Sequence, residues 1–212
     1  MPVKRRYHHG DLKNALIEAG AEILAREGPT ALTLRRVAQQ AGVSHTAPYA
    51  HFADKPALIA AIATEGYRRL YAVLAAEIEA AEGDPARQLV ETASAYLDFA
   101  HQHPSLFEVT LSNVVDKHRQ DPAFVEIASR CFSLVVRLVA ACQSAGILER
   151  APPPLGAVTL WSSLHGLATL LLEEQIPGHL QRRFPPARML RHTLGQLTRA
   201  PLPPPRPRGR RK

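Results

Sequence analysis

The chain has 212 residues, 46% of them hydrophobic, which allows one large or two small domains with a buried core. Cys131 and Cys142 are its two cysteines, and they fall in one predicted helix about 16 Å apart, which excludes a disulfide within that helix. The formal net charge is +7, but residues 199–212 hold six cations and no acid, so bulk charge is weak evidence for a nucleic-acid partner.

Residues 1–10, MPVKRRYHHG, are polar and basic. Lys4, Arg5 and Arg6 suit a phosphate or an adjacent minor groove, and a solvated terminus explains them equally well. His8 and His9 are adjacent and lack the i,i+4 spacing of paired helical ligands, so we predict no metal site here.

The stretch from residue 11 to residue 52 predicts a helix-turn-helix preceded by a supporting helix. The first helix spans residues 11–27, and the second spans 34–40 with Thr33 as its N-cap. Gly42 suits the turn, because glycine tolerates a positive φ, and Ser44 is expected to cap a third helix over residues 45–52. Pro48 would be fourth in that helix, where its missing N–H costs a bond, so we expect an early 3₁₀-like turn or a shifted cap.

Several outward-facing side chains of this stretch are hydrogen-bonding or cationic, which suits base edges and phosphates. The candidate DNA-binding residues are Thr33, Arg35, Arg36, Ser44, His45, Thr46, Ala47, Tyr49, His51 and Lys55.

The rest of the chain also reads as helical, without the alternation of apolar and polar residues that is typical of strands. Asp54 is the expected N-cap of a long helix reaching about residue 81, which is either a mechanical rod or a rigid spacer. Further helices are predicted over 86–103, 105–116, 122–145, 155–176 and 187–199, with a loop between Pro177 and Pro186.

Residues 201–212, PLPPPRPRGRRK, are rich in proline and arginine. Such a segment cannot bury apolar area, so we predict a disordered tail over 200–212. It either holds DNA in a salt-sensitive way or only aids solubility.

Spaced residues in the first third resemble the TetR-type transcriptional repressors. Val43-Ser44, Tyr49, His51-Phe52, Lys55 and Leu58 reproduce that family's V-S-x4-Y-x-H-F-x2-K-x2-L signature, and the lead-in is similar at Leu12, Leu16, Ala19, Gly28, Thr33, Ala38 and Gly42. Trp161-x3-His165-Gly166 resembles a segment of the WHG-type subgroup of TetR ligand-binding domains.

The resemblance implies an all-α fold in two domains joined by the long helix. Residues 8–66 would form the DNA-binding domain and residues 84–199 a ligand-binding and dimerisation domain. It also implies a homodimer through helices 155–176 and 187–199, binding a palindromic double-stranded operator and released by an unknown small molecule. One recognition helix has a small contact area, which also favours a dimer reading two half-sites.

Aromatic and polar side chains in the second half are the tentative pocket, since small-ligand sites are mostly apolar with a few polar groups. They are Tyr96, Phe99, His103, Phe107, Phe124, Phe132, Trp161 and His165. Core packing is the competing explanation for each of them.

No motif for catalysis is recognisable, so we expect a regulator with no cofactor and no metal, and not an enzyme. An architectural DNA-binding protein without ligand control and an all-helical enzyme remain alternatives. The polar N-terminus lacks a signal region, and no apolar run reaches about 18 residues, so we expect a bacterial cytoplasmic protein without a membrane span.

Overall fold

The computed structural model describes residues 12–111 and 121–206, and within those ranges it confirms the all-α fold class. The described residues contain no strand, only an isolated antiparallel bridge between Leu148 and Thr198. The helices are α1 (Leu12–Glu27), α2 (Leu34–Gln40), α3 (Lys55–Ala80), α4 (Pro85–Gln102), α5 (Pro104–Leu111), α6 (Pro122–Ser144), α7 (Pro153–Leu172), α8 (Gly178–Arg183) and α9 (Pro186–Leu197). Short 3₁₀ turns occupy Pro29–Ala31 and Ala47–Ala50.

Internal contacts divide the chain into two units. The N-terminal unit comprises the described residues of Met1–Arg68 and His103–Ala128, and the C-terminal unit those of Arg69–Gln102 and Ser129–Lys212. Of the three boundaries between the units, two fall inside α3 and α6 and the third falls between α4 and α5. The sequence predicts that α5 and the first residues of α6 belong to the second domain. They instead group with the N-terminal unit, in which α5 packs against α1.

The core of the N-terminal unit is built from the apolar stripe of α1 and the helices around it. Leu16 and Leu24 of α1, Val37 of α2, and Leu58 and Ile62 of α3 are fully buried. The packing of α1 against α2 holds α2 at a fixed position in this unit.

Helices α3 and α5 approach closely at Gly66 and Thr110. A Cβ placed on Gly66 would overlap the Thr110 hydroxyl and lie 3.2 Å from Leu106 Cδ1. Thr110 is buried, and its hydroxyl has no hydrogen-bond partner among the described residues. Glycine is therefore required at position 66 by close approach rather than by its φ.

In the C-terminal unit, α4 packs against α7 and α9, and α7 also packs against α9. Helix α7 buries only one narrow stripe, formed by Ala157, Leu160, Leu164 and Ala168. By length and composition, α7 is also apolar enough to cross a bilayer, which a count of consecutive apolar residues does not detect. Length and composition do not separate such a span from a helix that packs against other protein.

Two expectations about loops are wrong. The predicted loop between Pro177 and Pro186 contains the short helix α8, which begins where the Pro177 carbonyl accepts the Leu180 and Gln181 amides at 2.8 and 3.2 Å. Helix α7 ends at Leu172 instead of residue 176, because Glu174 takes a left-handed φ of 52°.

The sequence predicts a disordered tail, but residues 201–206 make specific hydrogen bonds to α3 and α4. Residues 207–212, the N-terminal arm over 1–10 with His8 and His9, and residues 112–116 of the predicted fifth helix lie outside the described residues.

Candidate nucleic-acid interface

Helix α2 is capped and anchored as the sequence predicts. The Thr33 hydroxyl accepts the Arg36 amide at 3.2 Å, which satisfies one of the orphan N–H groups of the first turn. Leu34, Val37 and Ala38 are buried, whereas Arg35 and Arg36 are exposed. The helix therefore turns its basic residues outward at its N-terminal end.

The turn after α2 uses Gly42 with a φ of 70°, as expected, and the Val43 amide returns to the Ala38 carbonyl at 3.0 Å. The predicted third helix over 45–52 is not an α-helix but a 3₁₀ turn over Ala47–Ala50. The physical reason is Pro48, which has no N–H to give to an i−4 carbonyl, so the segment closes with shorter i to i+3 bonds.

Ser44 does not cap this turn through its side chain, contrary to expectation. Its carbonyl accepts the Ala47 amide at 3.0 Å, and its hydroxyl lies 3.1 Å from the Thr46 hydroxyl. We refer to residues 44–52 as the recognition segment.

The recognition segment has one buried edge and one open edge. Pro48 and Phe52 are buried, while His45, Thr46 and His51 are exposed and Ala47 is half-buried. Tyr49 is 60% exposed, which is unusual for an aromatic side chain in a packed unit. The open edge is thus a row of small polar and aromatic groups available to a partner.

Two predicted contact residues are also held by the protein itself. The Arg36 guanidinium forms an ion pair with Glu27 at 2.6 Å, and Lys55 Nζ donates to the Pro29 carbonyl at 3.0 Å. By contrast, no ion pair or hydrogen bond of the Arg35 guanidinium is found within the described residues. As far as the described residues go, all the Arg35 guanidinium donors are available to a ligand, whereas Arg36 and Lys55 are held in place by internal contacts.

Residues that the sequence analysis did not single out also fix α2 against α1. Arg26 Nη2 donates to Gln40 Oε1 at 3.0 Å, and Gln40 Nε2 donates to Glu22 Oε2 at 2.8 Å. A signal existed in the sequence, because Glu22 and Arg26 lie at i,i+4 spacing on the polar side of α1. Their partners on α2 were not readable without the fold.

The tentative pocket residues are distributed over both units. His103, Phe107 and Phe124 belong to the N-terminal unit, whereas the other five belong to the C-terminal unit, namely Tyr96, Phe99, Phe132, Trp161 and His165. Phe124 packs edge-on against Tyr67, with ring centroids 5.5 Å apart.

Three of those residues form a polar cluster between α4 and α7. Tyr96 Oη lies 3.0 Å from His165 Nδ1 and accepts the Trp161 indole N–H at 3.3 Å. Burial lowers the pKa of His165 from its usual 6.5, which favours the neutral imidazole. Both hydrogen bonds form when the Tyr96 hydroxyl donates its proton to His165 Nδ1 and the imidazole proton is on Nε2.

A separate cavity of the C-terminal unit lies at other residues of α4 and α7. It has a volume of about 690 Å³ and is lined mainly by apolar residues of α4, α7 and the α8 region, with Asp98, His101 and Glu174 as its ionisable groups. A drug-sized molecule fits such a volume.

The described ranges contain no group of three or more His, Cys, Asp and Glu side chains placed to hold a metal ion. Cys131 and Cys142 are buried thiols that form no disulfide within the described residues, and burial raises the pKa of each thiol to about 12. Both are therefore packing residues rather than nucleophiles.

Comparison with protein-family models identifies both halves of the chain. Residues 16–62 match the model described as bacterial regulatory proteins, tetR family, and residues 89–197 match the model described as tetracyclin repressor-like, C-terminal domain. The second match covers just over half of the chain. Neither description specifies the WHG-type subgroup, which stays a prediction.

Individual relatives agree with this assignment. An uncharacterized HTH-type transcriptional regulator, YobS of Bacillus subtilis (strain 168), is 27% identical over 165 residues, covering 78% of this chain and 81% of its own. A solved structure of a protein with unknown function from Rhodococcus sp. RHA1 is 30% identical with a TM-score of 0.75, covering 92% of this chain and all of its own. A TetR-family transcriptional regulator from Pectobacterium atrosepticum, at 20% identity and a TM-score of 0.67 over 93% of this chain and all of its own, shares the fold.

Proposed function

The chain belongs to the TetR family of helix-turn-helix transcriptional regulators, and from that premise we propose that it is a cytoplasmic repressor that binds a palindromic operator as a homodimer and is released by a small molecule. The observation that supports DNA binding most directly is the open edge of the recognition segment, together with the exposed Arg35, whose guanidinium has no partner among the described residues.

The proposed contacts divide into two groups. Tyr49, Thr33, His51 and Lys55 position the protein on phosphates, and Arg35, His45, Thr46 and Ala47 contact base edges. Arg36 and Ser44, both exposed, are the two remaining candidates for contact with DNA. The Thr33 hydroxyl already accepts the Arg36 amide, and its own proton remains available to a phosphate oxygen.

The homodimer is supported by the outward face of α7. Leu155 is 63% exposed, Val158 49% and Trp161 37%. The helix carries almost no charge, so this exposed face is apolar. An apolar face of this kind is typical of a surface that a partner covers. A second copy of the chain, related by a two-fold axis, would bury it together with α9, as the sequence resemblance implies.

Ligand control is supported by the cavity of about 690 Å³ in the C-terminal unit and by α3, a single helix with residues in both units. We propose that a small molecule bound within residues 86–176 shifts α3, which begins next to the recognition segment and continues into the second unit. A dimer whose two recognition segments change their spacing loses the fit to half-sites one or more helical turns apart.

Footprinting on DNA from immediately upstream of the chain's own gene tests this function. A short protected palindrome, with a dimer in solution by light scattering, is the expected result. Long, weakly sequence-dependent protection would instead indicate an architectural protein. Partition of the intact chain into detergent or membranes would indicate that the exposed face of α7 contacts lipid rather than a second copy of the chain.

A further inference from the structure

The segment that follows α9 is fixed at both of its ends. The Arg199 amide donates to the Ile147 carbonyl at 2.8 Å, next to the bridge between Leu148 and Thr198. Seven residues later, the Arg206 amide donates to Glu91 Oε1 on α4 at 2.8 Å. Residues 199–206 thus form a strap across the C-terminal unit.

Glu91 is the anchor of the strap. Its side chain is 1% exposed, and it sits in the buried stripe of α4 between Val90 and Thr92. A carboxylate is costly to bury unless it is paired and hydrogen-bonded. Arg87 Nη1 approaches it at 3.4 Å from the same helix, and the strap supplies the shorter contact.

The contacts run in both directions between the strap and the helices beneath it. Arg87 Nη1 donates to the Pro204 carbonyl at 3.0 Å, and Arg206 Nη2 donates to the Ala80 carbonyl at 3.2 Å. Ala80 is the last residue of α3, where helix carbonyls lack intrahelical partners. The strap therefore also caps the end of α3.

The sequence of the strap suits this role. Pro201, Pro203, Pro204 and Pro205 favour an extended polyproline conformation, which has no internal hydrogen bonds and leaves its carbonyls available to partners outside the segment. A pre-stiffened segment loses little conformational entropy on docking, which is why proline-rich peptides are recognised through few contacts.

We propose that the first turns of α4, with the end of α3, form a binding site for a proline-rich, arginine-ended chain segment, and that residues 201–206 occupy this site in cis. Glu91 recognises the backbone N–H of the arginine, Arg87 recognises a proline carbonyl, and the Ala80 carbonyl recognises the guanidinium. The strap fastens the end of α3 to α4.

Two substitutions at one position separate these contacts. Arg206→Pro removes the N–H that Glu91 accepts while remaining compatible with an extended proline-rich segment, whereas Arg206→Ala keeps the N–H and removes only the guanidinium. We expect Arg206→Pro to lower the Tm of the full chain by about 2–8 °C, and Arg206→Ala to lower it by less. As a control, Arg150→Ala, at an exposed position of the C-terminal unit outside the strap, should keep the parent Tm.

Amide hydrogen exchange provides the independent measurement. The Arg206 amide should exchange at least about tenfold more slowly than in a free peptide of residues 200–212, because its proton is bonded to a buried carboxylate. Exchange at the rate of the free peptide, or equal Tm values for the Arg206→Pro variant and the parent, would overturn the proposal that residues 201–206 occupy a binding site on α4. Neither readout requires DNA, so a failure of operator binding would overturn the proposed function and leave this inference standing.

Discussion

The Arg36 guanidinium lies 2.6 Å from the Glu27 carboxylate, and this ion pair ties α2 to the last residue of α1. Its neighbour Arg35 points outward from the same turn without an internal partner in the described chain. Two adjacent arginines of one sequence motif therefore have different roles, one holding the helix and one available to DNA.

The first prediction separates these two roles. Arg35→Ala should cost about 1–3 kcal/mol of binding at particular operator base pairs, because an unpaired arginine can bond a base edge bidentately. Arg36→Ala should change unfolding free energy by less than about 1 kcal/mol, since its ion pair is partly exposed, and should weaken all operators similarly. Titration of single-base-pair operator variants measures both, and a loss of base preference in Arg36→Ala alone would contradict the assignment.

Tyr49 provides the second prediction. Because its side chain is 60% exposed, Tyr49→Ala should leave the Tm almost unchanged and weaken binding to every sequence by a similar factor. Tyr49→Phe keeps the ring and isolates the hydroxyl. If the hydroxyl bonds a phosphate, the phenylalanine variant should bind nearly as weakly as the alanine variant in a gel-shift titration.

The third prediction concerns the close approach of α3 and α5. Gly66→Ala should destabilise the protein by more than about 1 kcal/mol, because the new methyl overlaps the Thr110 hydroxyl. Thr110→Ala should recover part of that loss in the double variant, since the hydroxyl it removes is buried without a described partner. Denaturant unfolding measures the cycle.

Gly195→Ala is the matched control for this cycle. Position 195 lies in α9, and a Cβ placed there meets no heavy atom within 4 Å, so alanine should stabilise the helix by about 0.5–1 kcal/mol. Equal destabilisation at both positions would show that packing at Gly66 is not the cause.

The dimer is the subject of the fourth prediction. Val158→Glu places a charge on the exposed face of α7 and should produce a monomer with operator affinity reduced at least tenfold, as measured by light scattering and gel shift. Val125→Glu is a matched control, because Val125 is 45% exposed on α6 and Val158 is 49% exposed. A Val158→Glu variant that stays dimeric would move the interface away from this face.

The fifth prediction is a pH dependence of stability. Burial lowers the pKa of His165, so the folded state binds fewer protons than the unfolded state below the usual value of 6.5. The stabilisation from neutral His165 is therefore present above pH 6.5 and is lost as the pH falls towards the folded pKa. Thermal unfolding of His165→Gln should show a weaker loss of Tm between pH 7 and pH 5 than the parent, and an identical slope would refute the effect.

Much of the fold was predictable because its signals are local. Thr33 as a cap, Gly42 at a positive φ, Asp54 at the start of α3 and Pro48 as the cause of a 3₁₀ turn all follow from the chemistry of a few adjacent residues. The family signature lies in the same stretch, so the type of protein was also readable. The α8 helix was missed because flanking prolines mark a loop and a helix start alike.

The candidate site was only partly predictable, because a residue type does not reveal its partners. Arg35 and Arg36 are indistinguishable in the sequence, and only the packing of α1 against α2 brings Glu27 to one of them. The predicted pocket residues were grouped by composition, whereas the fold distributes them between two units.

By itself, the sequence determined the helical periodicity, the caps and turns, and the recognition segment, because these depend on neighbours within about one helical turn. The tertiary structure alone decided which arginine is paired, why position 66 must be glycine, and that residues 201–206 dock on α4. Those outcomes depend on groups far apart in the chain, as Glu91 and Arg206 are, and such pairs carry no local periodicity.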